Sequence, residues 1–201
     1  MIRPDTVILC GGTGQRLGGV DKPLELLAGR PLFERVLERM AAQAGSLLVS
    51  ANRNAAQYAA YGLTVIDDGR HRGCGPLAGI AAGLAAATSE QVLFVPGDAP
   101  LLPDDLVVRL DDARIRGNAE ISHAYDGHGP QPLCCLLPRA LLADLERYLD
   151  TGGRTPREWF AGHRTAAASF AEWPRWAWSA NTAEEWQNAE LRLSDTLSIA
   201  E

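Results

Sequence analysis

Short apolar runs recur along the first half of the chain, separated by stretches of mixed polarity. Runs of this length are typical of buried strands, whereas apolar residues that recur every three or four positions are typical of helices. The predicted strands are residues 6–9, 46–51, 64–67 and 91–96. The predicted helices run from Pro31 to near Gly45, over 54–61, and over 77–84. Alternation of this kind predicts a parallel sheet covered by helices on both faces.

The second half of the chain has a different pattern. Two apolar runs, 120–124 and 132–137, flank the turn-rich segment YDGHGPQ, which predicts an antiparallel pair of strands. Helices are predicted over 139–149 and 155–161, and a capping box of Thr182 and Glu185 predicts a last helix over 182–193. We therefore expect one α/β domain over residues 1–201 with a mixed, mostly parallel sheet.

The composition excludes several classes of protein. The 201 residues are 46% hydrophobic and 22% charged, which is typical of a globular domain rather than a disordered chain. A net charge of −6 with no dense basic run disfavours binding to nucleic acid or to a membrane surface. No apolar run approaches the roughly 20 residues of a membrane span, and the N-terminus does not have the pattern of a signal peptide. We expect a cytoplasmic protein.

Cysteine and histidine spacing argues against a zinc site. The four histidines show no HxxxH or HExxH spacing, and the cysteines form no CxxC pair. We therefore expect reduced, mostly buried thiols at Cys10, Cys74, Cys134 and Cys135.

A glycine-rich segment, LCGGTGQRLGGVDK at residues 9–22, follows the first predicted strand. It matches neither the phosphate loop GxxxxGK[ST] nor the dinucleotide fingerprint GxGxxG. A glycine-rich segment by itself is as typical of a flexible turn as of a phosphate cradle. Arg16 and Lys22 favour the cradle, because a polyphosphate requires cations and a plain turn does not.

The same segment resembles the LAGGxSxRMGxxK signature of nucleotidyltransferases with a GT-A-like fold. Together with SANR, CGPLAG, VPGDAP and ANTAEEW, in matching order from Val7 to about Trp186, it is similar to the molybdenum cofactor guanylyltransferases, the MobA family. The resemblance implies a Rossmann-like nucleotidyltransferase fold with a nucleotide-binding half (1–100), an acceptor-binding half (101–193) and a tail (194–201). It also implies transfer of GMP from GTP to the terminal phosphate of molybdopterin, with release of pyrophosphate.

Asp98 is the most informative acidic residue, because it follows the apolar strand VLFVP at the edge where open α/β sheets bind ligands. A carboxylate there suits Mg²⁺, which is usually held by one or two carboxylates and substrate phosphates. The residues alone leave a turn aspartate before Pro100 as the alternative. The resemblance implies that Asp98 binds the metal.

The resemblance carries three catalytic roles onto Arg16, Lys22 and Asp98. It places GTP contacts at Leu9, Cys10, Gly11, Lys22, Ser50, Asp68 and Asp98. We add the amides of Gly12 and Gly14, in the same glycine segment, as candidate contacts to the triphosphate. The chain departs from the family where Cys10 replaces a small alanine and where Ser50 replaces a common asparagine. Because serine reaches less far than an amide, Asn52 is a second candidate for the base contact.

The acceptor side has weaker signals. The candidate contacts to molybdopterin are Gly75, Pro76, Gly79, Arg154 and Asn181. A helix start at Gly75 favours an anion but is equally typical of an ordinary Pro-initiated helix, and Asn181 is also a candidate helix cap. The tryptophans at 173, 176 and 178 suit either stacking on a pterin or packing in the core.

Other activities use the same glycine segment and aspartate. They are cytidylyl transfer to the same cofactor, nucleotidyl transfer to a sugar or alcohol phosphate, and a non-catalytic carrier of nucleotide or molybdopterin. For the guanylyltransferase, the resemblance implies GTP and molybdopterin as substrates, and transient contact with molybdenum-insertion proteins and molybdoenzyme chaperones is a further candidate. The attacking phosphate is already ionised near pH 7, so we expect no essential histidine.

Overall fold

A seven-stranded sheet organises the chain, as seen in a computed structural model that describes residues 2–11, 21–99, 101–173, 177–179 and 185–191. The strands of this sheet are β1 (Asp5–Leu9), β4 (Leu47–Ser50), β5 (Thr64–Ile66), β6 (Gln91–Pro96), β7 (Ile121–Tyr125), β8 (Pro130–Pro138) and β9 (Thr165–Ser169). Two further strands, β2 (Leu26–Leu27) and β3 (Arg30–Pro31), form a separate hairpin. The α-helices are α1 (Leu32–Ala41), α2 (Ala55–Ala59), α3 (Pro76–Ala86), α4 (Leu106–Arg116), α5 (Leu142–Asp150) and α6 (Pro156–Phe160). Residues 185–191 are also helical.

The strand order places the start of the chain at the centre of the sheet. The order is β5-β4-β1-β6-β8-β7-β9, and β8 runs antiparallel to both of its neighbours, β6 and β7. The remaining neighbouring strands pair in parallel. This confirms the predicted mixed, mostly parallel α/β sheet with helices on both faces.

Alternation along the strands divides the core into two layers. Val7 and Phe94 belong to one buried cluster, with α3, α5 and α6, whereas Ile8 and Leu93 belong to the other, with α1 and α4. Successive side chains of a strand point to opposite faces, so a sheet covered on both sides requires apolar residues at consecutive positions. The continuous apolar runs in the sequence therefore follow from the three-layer architecture.

Two glycines allow α3 to pack closely against the sheet. A Cβ at Gly83 would lie 2.5 Å from Phe94 Cε1, and a Cβ at Gly79 would lie 2.7 Å from Ser50 Oγ. The two glycines are one helical turn apart and therefore face the same side. This close packing fixes the start of α3 relative to the ends of β1 and β4.

The predicted elements are confirmed apart from their ends and a few omissions. The β2–β3 hairpin and β9 are the omissions. The acidic residues at 104, 105, 111 and 112 predict an exposed helix, and α4 is that helix, although it buries Leu106, Val107 and Leu110. β9 has the sequence TAAAS, and alanine is depleted in strands, so its pairing with β7 gave no local signal. The predicted last helix is seen over 185–191, and its predicted start at Thr182 lies outside the described residues.

Two further expectations from the sequence concern the cysteines and membrane-spanning segments. Cys10, Cys134 and Cys135 are buried and Cys74 is half-buried, which confirms the predicted burial of most thiols, and Cys134 and Cys135 lie on opposite faces of the sheet. Within the part of the chain that the structure describes, no helix is long and apolar enough to cross a membrane.

A buried carboxylate ties the amino end of β1 to the loop that precedes β6. Asp5 is 5% exposed and accepts hydrogen bonds from the Ser46 hydroxyl at 2.5 Å and from the backbone amides of Thr88 and Ser89 at 2.6 and 2.9 Å. Burial by itself raises the pKa of the Asp5 carboxyl, but these hydrogen bonds outweigh it and lower the pKa from 3.8 to about 2. The ionised form is therefore stabilised in the folded protein.

We expect the free energy of unfolding to fall by about 2 kcal/mol as the pH falls from 3.8 towards 2, through Asp5 alone. The stabilisation is complete above the unfolded pKa, because the carboxylate then keeps its donors, and it is lost on protonation. Urea unfolding across this range should show a weaker pH dependence in Asp5→Asn than in the exposed control Asp112→Asn. Equal pH dependence in both variants would contradict the assignment.

Candidate nucleotide-binding site

The carboxyl ends of β1 and β6 adjoin at the centre of the sheet. From β1 the chain proceeds to β4 on one side, whereas β6 pairs with β1 on the other side, so the strand order reverses here. The Gly97 amide donates to the Leu9 carbonyl at 2.9 Å and holds the two strand ends together. Crevices of this kind are where open α/β sheets bind their ligands.

An ion pair occupies this crevice. The Lys22 ammonium lies 2.7 Å from Asp98 Oδ2, and the two side chains are 14% and 24% exposed. The Ser179 hydroxyl donates to the same carboxylate oxygen at 3.0 Å and accepts from Lys22 Nζ at 3.1 Å. The structure therefore brings together two of the three predicted catalytic residues and adds Ser179, which the sequence did not single out.

A neighbouring contact fixes the position of Lys22. Asp21, directly before it, is buried and accepts a hydrogen bond from Asn54 Nδ2 at 2.8 Å. Asn54 has a left-handed backbone with φ of 51°, which asparagine tolerates better than most residues. The contact connects the segment that begins at Asp21 to the loop after β4.

A second polar pair lies at the ends of β4 and β5. Asn52 Nδ2 donates to Asp68 Oδ2 at 2.5 Å, and Asn52 Oδ1 accepts from the Asp68 amide at 3.1 Å. Asp68 is 8% exposed, and its Oδ1 has no hydrogen-bond partner among the described residues. Burial raises the pKa of Asp68, and the Asn52 amide opposes that effect.

Gly11 adjoins this pair. A Cβ at Gly11 would lie 3.4 Å from Asn52 Nδ2 and 4.0 Å from Asp68 Oδ1. Three of the predicted GTP contacts, from the ends of three strands, thus meet at one place. A buried carboxylate oxygen without a donor is costly, so Asp68 Oδ1 favours a donor close by, from the Ser50 hydroxyl or from a ligand.

Other predicted GTP contacts lie beneath the surface. Cys10 is 4% exposed, its amide donates to the Ser50 carbonyl, and burial raises the pKa of its thiol. Ser50 is fully buried against Gly79, so its hydroxyl does not line the crevice. We therefore correct the prediction of a base contact through the Ser50 side chain, because α3 covers that side chain. Asn52, the second candidate, is the polar group at the end of β4.

The candidate contacts to molybdopterin are likewise partly exposed and partly buried. Gly75 and Pro76 are exposed at the start of α3, where Gly75 has φ of 78°, and the Arg154 carbonyl lies 3.6 Å from a Gly75 Cβ position. The Arg154 guanidinium donates to the carbonyls of Leu149 and Gly153, at the end of α5. Gly79 is buried in the helix–sheet contact, which overturns its prediction as a molybdopterin contact.

Some predicted residues cannot be placed. Gly12, Gly14, Arg16, Asn181 and the tryptophan at 176 lie outside the described residues. Of the other tryptophans, Trp178 is 2% exposed and packs edge-on against Phe170 with ring centroids 5.3 Å apart, which favours the core alternative over stacking on a pterin.

The donor chemistry of the crevice suits a divalent cation. Asp98 already holds a positive charge at Oδ2, and the carboxylate is a hard oxygen ligand of the kind that Mg²⁺ prefers. Within the described ranges, no group of three His, Cys, Asp or Glu residues forms a closed metal site.

Comparison with known proteins identifies the family to which this site belongs. Residues 6–167 match the MobA-like NTP transferase domain. The chain belongs to the MobA-like NTP transferase family. A relative named molybdenum cofactor guanylyltransferase, from Shewanella sp. (strain MR-4), is 38% identical over 192 residues, which cover 96% of this chain and 98% of the relative. The resemblance stated from the sequence is thus confirmed, and the chain is a nucleotidyltransferase.

Solved structures confirm the fold of this family member. Molybdopterin-guanine dinucleotide biosynthesis protein A from Archaeoglobus fulgidus aligns with a TM-score of 0.76 at 21% identity, over 95% of this chain and 99% of that one. The 2-C-methyl-D-erythritol 4-phosphate cytidylyltransferase from Thermus thermophilus aligns with a TM-score of 0.69 at 17% identity, over 94% and 98%. Since a cytidylyltransferase shares the architecture, the fold alone does not select the base.

Proposed function

We propose that this protein transfers GMP from GTP to the terminal phosphate of molybdopterin, releases pyrophosphate and forms the guanine dinucleotide cofactor in a Mg²⁺-dependent reaction. The observation that carries the proposal is 38% identity over 98% of a relative with the corresponding name. The geometry supports it with a cation and a carboxylate at the crevice where a triphosphate would lie. The retained Lys22–Asp98 pair argues against the non-catalytic carrier.

The chemistry requires alignment and charge neutralisation rather than a covalent intermediate. An oxygen of the molybdopterin phosphate forms a bond to the α-phosphorus of GTP, and the bond from that phosphorus to the bridging oxygen of pyrophosphate breaks. Lys22 neutralises the charge that develops on the leaving pyrophosphate. Asp98 would hold Mg²⁺, which supplies electrostatic stabilisation at the phosphates when bound. Arg16 is proposed as a second cation at the triphosphate.

Asp68 is the proposed determinant of guanine selectivity. Guanine offers N1–H and a 2-amino group side by side, and these two donors match the acceptors of a carboxylate. Adenine and cytosine have no N–H at the corresponding ring nitrogen. The Asn52 pair orients Asp68, and Gly11 leaves space beside it.

On the acceptor side, the exposed start of α3 is the proposed site for the molybdopterin phosphate. Gly75 and Pro76 lie there beside the Arg154 backbone carbonyl, and the amino end of a helix favours an anion. We also propose the Arg154 side chain as a contact, although its guanidinium here pairs with the Leu149 and Gly153 carbonyls. We also propose Asn181, near the final helix, as a contact to molybdopterin. We also propose a nucleotide-binding half over 1–100 and an acceptor-binding half over 101–193. The proposal further includes a cytoplasmic location and transient contact with molybdenum-insertion proteins and molybdoenzyme chaperones.

Thermal unfolding with GTP, CTP, ATP and UTP, with and without Mg²⁺, tests the nucleotide site. A ligand at about 100 times its dissociation constant adds roughly 2.7 kcal/mol, which for a domain of this size raises the Tm by about 5–10 °C. We expect the largest rise with GTP and Mg²⁺. A CTP-selective rise would move the proposal to the cytidylyl reaction, and no rise with any nucleotide would favour the carrier.

Replacement of Asp68 by alanine should abolish the preference for GTP. We expect GTP affinity to fall by about 10- to 100-fold, because the acceptor for guanine is lost and Asn52 loses its partner, and ATP affinity to change little. Titration calorimetry with both nucleotides measures the two changes. Asp67→Ala, one residue earlier and exposed, is the matched control. An equal loss for ATP and GTP would assign Asp68 to structure rather than selectivity.

A further inference from the structure

The Lys22 ammonium, the Ser179 hydroxyl and the Asp98 carboxylate form a closed triangle of contacts at 2.7, 3.1 and 3.0 Å. Both donors meet the same carboxylate oxygen, Oδ2. The three residues come from segments separated by 76, 81 and 157 positions. The fold therefore presents Asp98 with a cation and a hydroxyl already in place.

Lys22 is the only lysine in the sequence, and the other 18 basic residues are arginines. The chain therefore uses arginine at every basic position except the one against Asp98. A guanidinium is a planar fork that fits two oxygens of one carboxylate, whereas an ammonium is a compact point charge that contacts a single oxygen. In size and charge distribution, the ammonium at Asp98 Oδ2 resembles a bound metal ion more closely than an arginine would.

This geometry makes Lys22 and a metal ion competitors for the same carboxylate. Two cations at the same carboxylate repel each other, and the repulsion is strong in a partly buried crevice, where water screens less. A triphosphate carries several negative charges and offers Lys22 a stronger partner than one carboxylate. Movement of the ammonium to the phosphates would free Asp98 Oδ2.

We propose that Lys22, held by Ser179, closes Asp98 to a divalent cation in the nucleotide-free protein, so that the cation binds only together with a triphosphate. The inference deepens the proposed function and rests on it, since it requires a nucleotide at this crevice. It assigns Ser179 as a positioning residue, which keeps the ammonium on the carboxylate until the nucleotide arrives.

Binding of Mn²⁺ alone, followed by electron paramagnetic resonance, tests the competition without any turnover. We expect weak binding to the unaltered protein, binding at least about tenfold tighter in Lys22→Met, and a smaller gain in Ser179→Ala. The gain in Lys22→Met should vanish when Asp98→Asn is added. Arg30→Met, which removes an exposed cation elsewhere, should leave Mn²⁺ affinity unchanged. Equal Mn²⁺ affinity in Lys22→Met and the unaltered protein would overturn the proposal, and so would tight binding to the unaltered protein that depends on Asp98.

The single lysine allows a second readout on the unaltered protein. Biosynthetic labelling with ¹³C-lysine gives one side-chain signal, that of Lys22. We expect GTP without metal to shift this signal and Mg²⁺ without nucleotide to leave it in place. A shift with Mg²⁺ alone to the position seen with GTP would overturn the proposal. If GTP fails to stabilise the protein in thermal unfolding, the proposed function fails, whereas the Mn²⁺ comparison between variants still reports on the competition.

Discussion

Asp98→Asn is expected to lower the turnover of GMP transfer by about 10³-fold while the fold stays intact. The amide keeps the shape of the side chain but removes the negative charge that would hold a cation at the phosphates. Loss of one preorganised electrostatic contact at a developing charge typically costs 10²–10³-fold in rate, and loss of a metal ligand lies at the upper end of that range. Initial rates of pyrophosphate release at saturating GTP measure the change.

The controls for Asp98→Asn separate chemistry from stability. Asp112→Asn also neutralises an aspartate, but on the exposed side of α4, and should keep full turnover. Circular dichroism and thermal unfolding should show the same fold in both variants. Turnover of Asp98→Asn within tenfold of the unaltered protein would remove Asp98 from the catalytic site.

Lys22→Met is expected to lower turnover by about 10²-fold and to weaken GTP binding as well. Methionine preserves the apolar stem of lysine but carries no charge to neutralise the leaving pyrophosphate. Steady-state kinetics with varied GTP separate the two effects as a fall in kcat and a rise in KM. Both changes are expected, because we propose that Lys22 contacts the bound triphosphate and that this contact strengthens as pyrophosphate leaves.

Lys22→Arg distinguishes the charge of this residue from its geometry. If charge alone were required, arginine would restore turnover fully. We expect only partial recovery, because the guanidinium fork pairs with both oxygens of Asp98 and is drawn less readily to the phosphates. Full activity in Lys22→Met would contradict the role assigned to the ammonium.

Much of the fold was readable from periodicity, because the central strands are buried on both faces and are continuously apolar. β9 was missed because alanine carries little strand signal, and its place is decided by pairing with β7 rather than by its own residues. The order of the strands is likewise a property of long-range pairing, which sequence patterns do not specify.

The structure brings predicted site residues together where they follow a strand, and it buries a predicted contact where a helix packs over the strand end. Asp98, Asn52 and Asp68 lie at strand ends, so the parallel sheet brings them to one edge. Ser50 also ends a strand, but α3 packs over it through Gly79, and no local pattern reveals that contact. Ser179 reaches Asp98 across 81 positions of the chain. The composition did contain one signal for this site, because Lys22, the residue paired with Asp98, is the single lysine of the sequence.

The fold by itself does not explain which nucleotide base the protein selects. A cytidylyltransferase has the same architecture, so selectivity must come from a few polar groups at the strand ends. Among the described residues, the Asn52–Asp68 pair is the arrangement that we propose distinguishes guanine from cytosine.

Pyrophosphate release from GTP and CTP side by side, with molybdopterin and Mg²⁺ present, tests GMP transfer to molybdopterin. We expect turnover with GTP that requires molybdopterin, yields the guanine dinucleotide and is lost in Asp98→Asn. Faster turnover with CTP, or GTP turnover that is independent of molybdopterin, would contradict it.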